Sequence, residues 1–145
     1  MSRSYVLNFV HCVFATKGRA QLIRNPEPLW AYLHGIARNC GFDILAVGGT
    51  DNHVHLLPSV PAGLHLVELV RDLKANSSRF MKTNAPGFSW PAGYAAISVS
   101  PSQVEAVKRY IARQQQHHSR QTFDEEFLAL LDKSGVRYER NHVLD

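Results

Sequence analysis

The sequence predicts a mixed α/β (α+β) domain in which strands and helices alternate, and three observations carry that expectation. First, 145 residues with 45% apolar character are enough for one buried core and too few for two domains of usual size. Second, the hydrophobic periodicities along the chain read in the order strand, helix, strand, strand, helix, strand, helix and a further helix. Third, Gly48-Gly49-Thr50-Asp51-Asn52 separates two short apolar runs with the composition of a hairpin turn. We therefore expect a single domain over residues 1–145, with 119–145 as a C-terminal helical extension.

Taken in order, Ser4 to Thr16 is rich in Val, Phe and Tyr and reads as a strand, closed by a Lys17-Gly18-Arg19 turn. From Pro28 to Cys40 the apolar residues Leu29, Tyr32, Leu33, Ile36, Ala37 and Cys40 recur at helical spacing, and Gly41 is the expected stop. Phe42 to Val47 and His53 to Ser59 form the two arms of the hairpin. Leu64 to Lys82 reads as a second helix, with Leu66, Val70, Leu73 and Phe80 available for the core. A Pro- and Gly-rich loop from Thr83 to Gly93 carries Phe88 and Trp90, and Tyr94 to Val99 is the last strand. Ser100-Pro101-Ser102-Gln103 then has the form of a helix start, with a capping serine, a proline at the first position and a glutamine three residues after the cap. That third helix is expected to run from Pro101 to His118. Beyond it, Phe123, Phe127, Leu128, Leu130 and Leu131 among acids predict an amphipathic helix, while Val136 to Val143 is ambiguous.

The net charge of +4 is unevenly spread: residues 1–120 carry +7 and residues 121–145 carry −3. A basic body with an acidic tail fits a nucleic-acid partner, because phosphate neutralisation supplies most nonspecific affinity; charge alone also fits an ordinary basic soluble protein. No apolar run reaches bilayer-spanning length and no signal-peptide pattern precedes the first strand, so a cytoplasmic protein with no membrane partner is expected. Cys12 and Cys40 form no disulfide framework and read as buried thiols in a reducing compartment.

The stretch that carries chemistry is Asp51-Asn52-His53-Val54-His55-Leu56-Leu57. Side chains alternate across a strand, so His53 and His55 project from one face while Val54 and Leu56 project from the other. Two imidazoles on one face can ligate a metal, or they can be polar residues at a strand edge. On the third helix Val104, Val107 and Ile111 form an apolar stripe, and Tyr110 and Gln114 lie four apart and so share a face. Tyr110 has two readings, a packing residue with a satisfied hydroxyl or, beside the histidine pair, an attacking oxygen. His117 and His118 read as solvated helix-end residues ahead of proton-transfer groups. Arg71, Lys74, Arg79 and Lys82 along the second helix are candidate phosphate contacts or a solvated face, and Trp90 is a candidate for base stacking or for anchoring its loop.

With these motifs in order, the sequence resembles the single-tyrosine His-hydrophobic-His transposases of small insertion sequences and their domesticated relatives associated with repetitive extragenic palindromes. The resemblance runs through His11 to Arg19, Asp51 to Leu57, Lys74 to Phe80, Trp90, Gly93 to Ser100 and Tyr110-Ile111-Ala112-Arg113-Gln114. It implies a ferredoxin-like fold, an antiparallel sheet with helices packed on it and the histidines on a central strand. It also implies that His53, His55 and Gln114 hold a divalent ion, Mg²⁺ or Mn²⁺, and that Tyr110 is the nucleophile. The expected reaction is cleavage and rejoining of single-stranded DNA at hairpin-marked ends through a 5′-phosphotyrosine. Lys17, Arg19, Arg71, Lys74, Arg79, Lys82, Trp90 and Arg113 are the expected DNA contacts. The resemblance further implies a homodimer, in which the tyrosine helix completes either its own or the partner's site.

Three functions fit these expectations. An active transposase and a domesticated hairpin nuclease share the same residues and differ in flanking DNA. A noncatalytic DNA-binding relative, or a metal hydrolase in which water attacks, is the reading from another class. Covalent capture of DNA separates it from the first two.

Overall fold

The computed structural model describes residues 3–145; Met1 and Ser2, which open the N-terminal stretch discussed above, lie outside the described residues. Four strands, β1 (Phe9–Ala15), β2 (Asp43–Gly49), β3 (His53–Ser59) and β4 (Ala95–Val99), form one sheet in the order β2-β3-β1-β4. Every neighbouring pair is antiparallel. Helix α1 (Pro26–Cys40) connects β1 to β2 and α2 (Leu66–Lys82) connects β3 to β4, so two crossovers surround the β2-β3 hairpin. This is the ferredoxin-like antiparallel arrangement with the histidine strand at an interior position. Among the described residues no helix is long and apolar enough to cross a membrane.

Strand alternation sorts the interior into two sides. Cys12, Phe14, Val54 and Leu56 face α1 and α2, where they meet Leu29, Leu33, Leu69, Val70 and Leu73 in the main core. The opposite face is covered by α3 (Val104–Ala112) and α5 (Phe123–Ser134). Leu57 packs there with Val104 and Ile111, while Val13, Ala15 and Ala95 pack with Phe123 and Leu131. His53 and His55 belong to this second face, between the two helices. Gly41 ends α1 in the left-handed conformation, φ 85°, as its position predicts.

The structure corrects several element expectations. The first strand begins at Phe9 rather than Ser4, because its ladders end where Phe9 meets Ser59 on one side and Val99 on the other. Tyr5, Val6 and Leu7 have no strand to pair with there and are exposed. The hairpin turn is tighter than its composition suggests, with Gly48 and Gly49 inside β2 and paired with His55 and Val54. Tyr32 and Cys40 lie off the buried stripe of α1, so only Cys12 of the two cysteines is buried. The expected helix from Pro101 to His118 is broken in two. A 3₁₀ turn at Pro101–Gln103 leads into α3, Arg113 leaves helical geometry at φ −102° and ψ 18°, and α4 (Gln114–His117) follows. The Ser100 hydroxyl pairs with Ser102 rather than capping the helix.

Gly48 shows how the sheet sets the height of α3. Its α-carbon points at the Ile111 carbonyl, and a β-carbon there would overlap that backbone oxygen. Helix α3 therefore approaches β2 through the space that a side chain would fill. Replacing Gly48 with Ala is expected to cost about 3 kcal/mol, the upper end of the overpacking range, because backbone rather than a flexible side chain must give way. Urea denaturation checks this; an unchanged midpoint would show that α3 lifts freely from the sheet.

Candidate metal centre and nucleophile

His53 and His55 are fully buried at the start of β3. The His53 Nδ1 lies 2.9 Å from Asn52 Oδ1 and 3.0 Å from Thr50 Oγ1. An amide oxygen only accepts, so Nδ1 carries the proton and Nε2 presents its lone pair to the interior. That lone pair faces Gln114 Oε1 at 2.9 Å. The Gln114 amide nitrogen in turn donates to Glu126 Oε2 at 3.0 Å. Turning the amide over would satisfy His53 but set the Gln114 oxygen against the carboxylate. Either orientation leaves two acceptors opposed, which a cation between them relieves.

His55 is held from both sides. Its Nδ1 is 2.8 Å from Nε2 of the buried His11, and its Nε2 is 3.0 Å from Glu126 Oε1. His11 reaches it because Val13 is opposite His55 in the β1-β3 register, which places His11 two residues along on the same face. The Glu126 carboxylate also takes His118 Nε2 at 3.0 Å and the Tyr110 hydroxyl. The ligating atoms of His53, His55 and Glu126 all lie within 4.8 Å of one another, so this group can hold a metal ion. The mixed imidazole and oxygen donor set suits a divalent cation of the first transition row or Mg²⁺.

Burial dominates the electrostatics. It lowers the His53 pKa to about 3, assisted by repulsion from His55 and His118, against the Gln114 oxygen, which would accept from the protonated ring, and the Glu126 charge. The same effect, with repulsion from His55, takes His11 to about 3 and lowers His55 despite its carboxylate partner. The imidazoles are thus neutral at physiological pH, the form that binds metal. Burial alone would raise the Glu126 carboxyl, but hydrogen bonds from His55, Tyr110 and Gln114 hold it below the usual carboxylate range. Burial and the adjacent carboxylate both push the Tyr110 phenol up. Its proton must therefore be taken by a neighbouring group if its oxygen is to attack.

The structure brings together four residues singled out from sequence. Tyr110 lies beside His55 of its own chain, with ring centroids 5.7 Å apart, and His53, His55 and Gln114 surround the same carboxylate. The break at Arg113 does not separate Tyr110 from Gln114; it turns Gln114 inward, where it is buried. The candidate DNA contacts divide. Lys17, Arg71, Lys82 and Arg113 are exposed, as is Arg79, which leans on Asn76. Three others are engaged within the fold, in contrast to the expectation. Trp90 stands edge-on to Phe14 and Phe88 and donates to Ser77 at 3.0 Å, so its ring anchors the loop. Lys74 donates to the Pro91 and Gly93 carbonyls at 2.7 and 2.8 Å, its pKa lowered by burial to about 8. Arg19 pairs with Asp124 at 2.7 Å and reaches the Leu144 carbonyl.

Glu126, His11 and His118 were not among the expected site residues. Glu126 had a legible signal, an acid inside the stripe formed by Phe123, Phe127 and Leu130, where solvent cannot reach it. A capping box between Thr122 and Glu125 starts α5 one turn before it. His11 had no such signal, since only strand register brings it to His55. His118 and His117 are half-buried, the latter with its ring 4.8 Å from that of Tyr110, rather than solvated at a helix end.

The sequence profile of the IS200-like transposases matches residues 4–114, ending at Gln114. No curated protein matches the sequence. A crystal structure of a protein from Deinococcus radiodurans regarded as a transposase superposes with a TM-score of 0.63 at 27% identity, over 79% of this chain and 96% of that one. A REP-associated tyrosine transposase bound to a REP hairpin superposes with a TM-score of 0.62 at 16% identity, over 81% of this chain and 73% of that one, a likeness of fold. With the profile covering most of the chain, this protein belongs to the IS200-like transposase family.

Proposed function

We propose that this chain cleaves and rejoins single-stranded DNA by transesterification, with Tyr110 as the nucleophile. The observation that carries the reading is the convergence of the Tyr110 hydroxyl and the two histidines on one buried carboxylate within a single chain. A divalent ion, Mg²⁺ or Mn²⁺, held by His53, His55 and Gln114, would offset charge on the scissile phosphate and orient it. Tyr110 would attack phosphorus, join the 5′ side of the broken strand and release a 3′ hydroxyl. Because the phosphodiester energy is kept in the phosphotyrosine, a second 3′ hydroxyl rejoins the strand without ATP.

Hairpin DNA is the proposed partner, a reading supported by the family and by the hairpin held in the REP-associated relative. Arg113 is exposed one turn from Tyr110 and shares a polar cleft with His117 and Arg120, a position suited to phosphates flanking the cut. Arg71, Arg79 and Lys82 lie on α2, across the sheet from the histidines, and would address a separate stretch of the same DNA. The reading takes the site as completed within one chain. A homodimer is compatible with it, and exchange of α3 between copies would rebuild the same contacts.

Labelled single-stranded oligonucleotides carrying hairpins from the gene's own flanks, incubated with Mn²⁺ or chelator, test the proposal on denaturing gels. A metal-dependent adduct mapping to Tyr110 supports it; binding without an adduct turns the reading to a noncatalytic DNA-binding relative. His53→Ala is expected to reduce Mn²⁺ affinity by more than the roughly 10- to 100-fold that loss of an outer-shell group costs, with the adduct rate at limiting metal falling in parallel. Calorimetric titration of Mn²⁺ checks the first part, and unaltered affinity would remove His53 from the ligand set.

A further inference from the structure

The two oxygens of Glu126 face different chemistry. Oε1 meets the imidazoles, 3.0 Å from His55 Nε2, 3.0 Å from His118 Nε2 and 3.8 Å from His53 Nε2. Oε2 meets the Tyr110 hydroxyl and the Gln114 amide. A buried carboxylate needs several donors to offset its desolvation, and the oxygen turned away from the imidazoles takes the Tyr110 hydroxyl as one of its own. Its position is fixed by a rigid element: the Thr122 capping box starts α5, and Phe123 and Leu131 bolt the helix to Val13, Ala15 and Ala95. Neither neighbouring histidine hydrogen-bonds the hydroxyl. His117 lies against the ring of Tyr110, and His118 is spent on Glu126 itself.

We propose that Glu126 is a catalytic residue, the general base that takes the Tyr110 proton during attack on the DNA phosphate. This rests on the transesterase reading above and adds the proton's destination. As the Tyr110 oxygen forms its bond to phosphorus, the phenol proton passes to Oε2 and the bond from phosphorus to the 3′ oxygen breaks. The departing 3′ oxygen takes a proton from solvent. In the rejoining step the bond between phosphorus and Tyr110 breaks, and the protonated Glu126 returns its proton to the phenol oxygen while the attacking 3′ hydroxyl releases its own to solvent. A carboxylate that also contacts the histidines couples the readiness of the nucleophile to the state of the metal centre.

The test is Glu126→Gln, which keeps shape and loses basicity, assayed for adduct formation with the flank hairpin oligonucleotide at saturating Mn²⁺. The expected loss is about 10²- to 10⁴-fold, the usual worth of a positioned base, with hairpin binding retained. The rate of the variant is also expected to rise about tenfold per pH unit between pH 6 and 9, as hydroxide replaces the missing base, while the wild type stays nearly flat. Glu126→Ala is expected to regain activity with added formate, a response that loss of a purely structural contact would not produce. Direct Mn²⁺ titration of each variant separates a ligand role from a basic one. A wild-type adduct that Glu126→Gln forms at an equal or greater rate would overturn the inference alone and identify the carboxylate as a spectator or a plug. Absence of an adduct from the wild type itself would overturn the transesterase reading and the inference with it.

Discussion

Tyr110→Phe is expected to abolish covalent capture of DNA and lower strand cleavage by a factor on the order of 10³ or more, the scale seen when a covalent nucleophile is removed. The substitution deletes one oxygen and leaves the ring, which is half-buried against His117, His55 and His11. Packing should therefore survive. The loss on the protein side is one hydrogen bond to Glu126, which retains His55, Gln114 and His118 as partners, and such a bond to a charged group is worth about 1.5–3 kcal/mol net. Hairpin affinity should change little, because the exposed cations on α2 and at Arg113 are untouched. The measurement is a denaturing gel beside a filter-binding assay on the same oligonucleotide. Cleavage at the wild-type rate by the phenylalanine variant would assign the attack to water and make the protein a metal hydrolase.

How much of this site was legible depends on whether each residue is placed by local periodicity or by tertiary register. His53 and His55 were legible because alternation along a strand is local, and no later event can move them to opposite faces. Tyr110 was legible as a helix position, but its helix was expected to continue to His118. The chain instead breaks at Arg113, where α3 ends so that Gln114 can turn into the sheet. The hairpin arms were visible, yet Gly48 and Gly49 read as turn residues when Gly48 serves to admit the Ile111 backbone, a demand set by a helix far away in sequence. Lys74, Arg19 and Trp90 were readable as types but not as partners. Their hydrogen bonds go to Pro91, Asp124 and Ser77, separated from them by loops whose course composition does not determine. Glu126 was the residue most open to discovery. An acid on the apolar side of an amphipathic helix demands a buried partner, and the unpaired histidines of β3 were available to provide one.

That same cluster predicts a loss of stability in mild acid, well above the range in which ordinary carboxylates protonate. His11 and His53 have pKa values of about 3 in the folded chain, against about 6.5 when unfolded. Below pH 6.5 the unfolded chain binds protons that the native chain refuses, so stability falls as pH falls. The contribution is fully present above 6.5 and is lost progressively toward 3. Between pH 7 and pH 5 each of the two histidines is expected to remove about 2 kcal/mol, and His55 shifts in the same direction. Glu126 is also held low, so its own loss comes at more acidic pH and does not mask the first. The combined loss of about 4 kcal/mol is a large share of the 5–15 kcal/mol that typically separates native from unfolded. Urea unfolding in chelator at the two pH values measures it directly, and saturating Mn²⁺ is expected to restore stability by binding only the native centre. Equal unfolding free energies at pH 7 and 5 would show that the folded imidazoles take up protons as the unfolded chain does, and the depression by burial on which this prediction rests would fail.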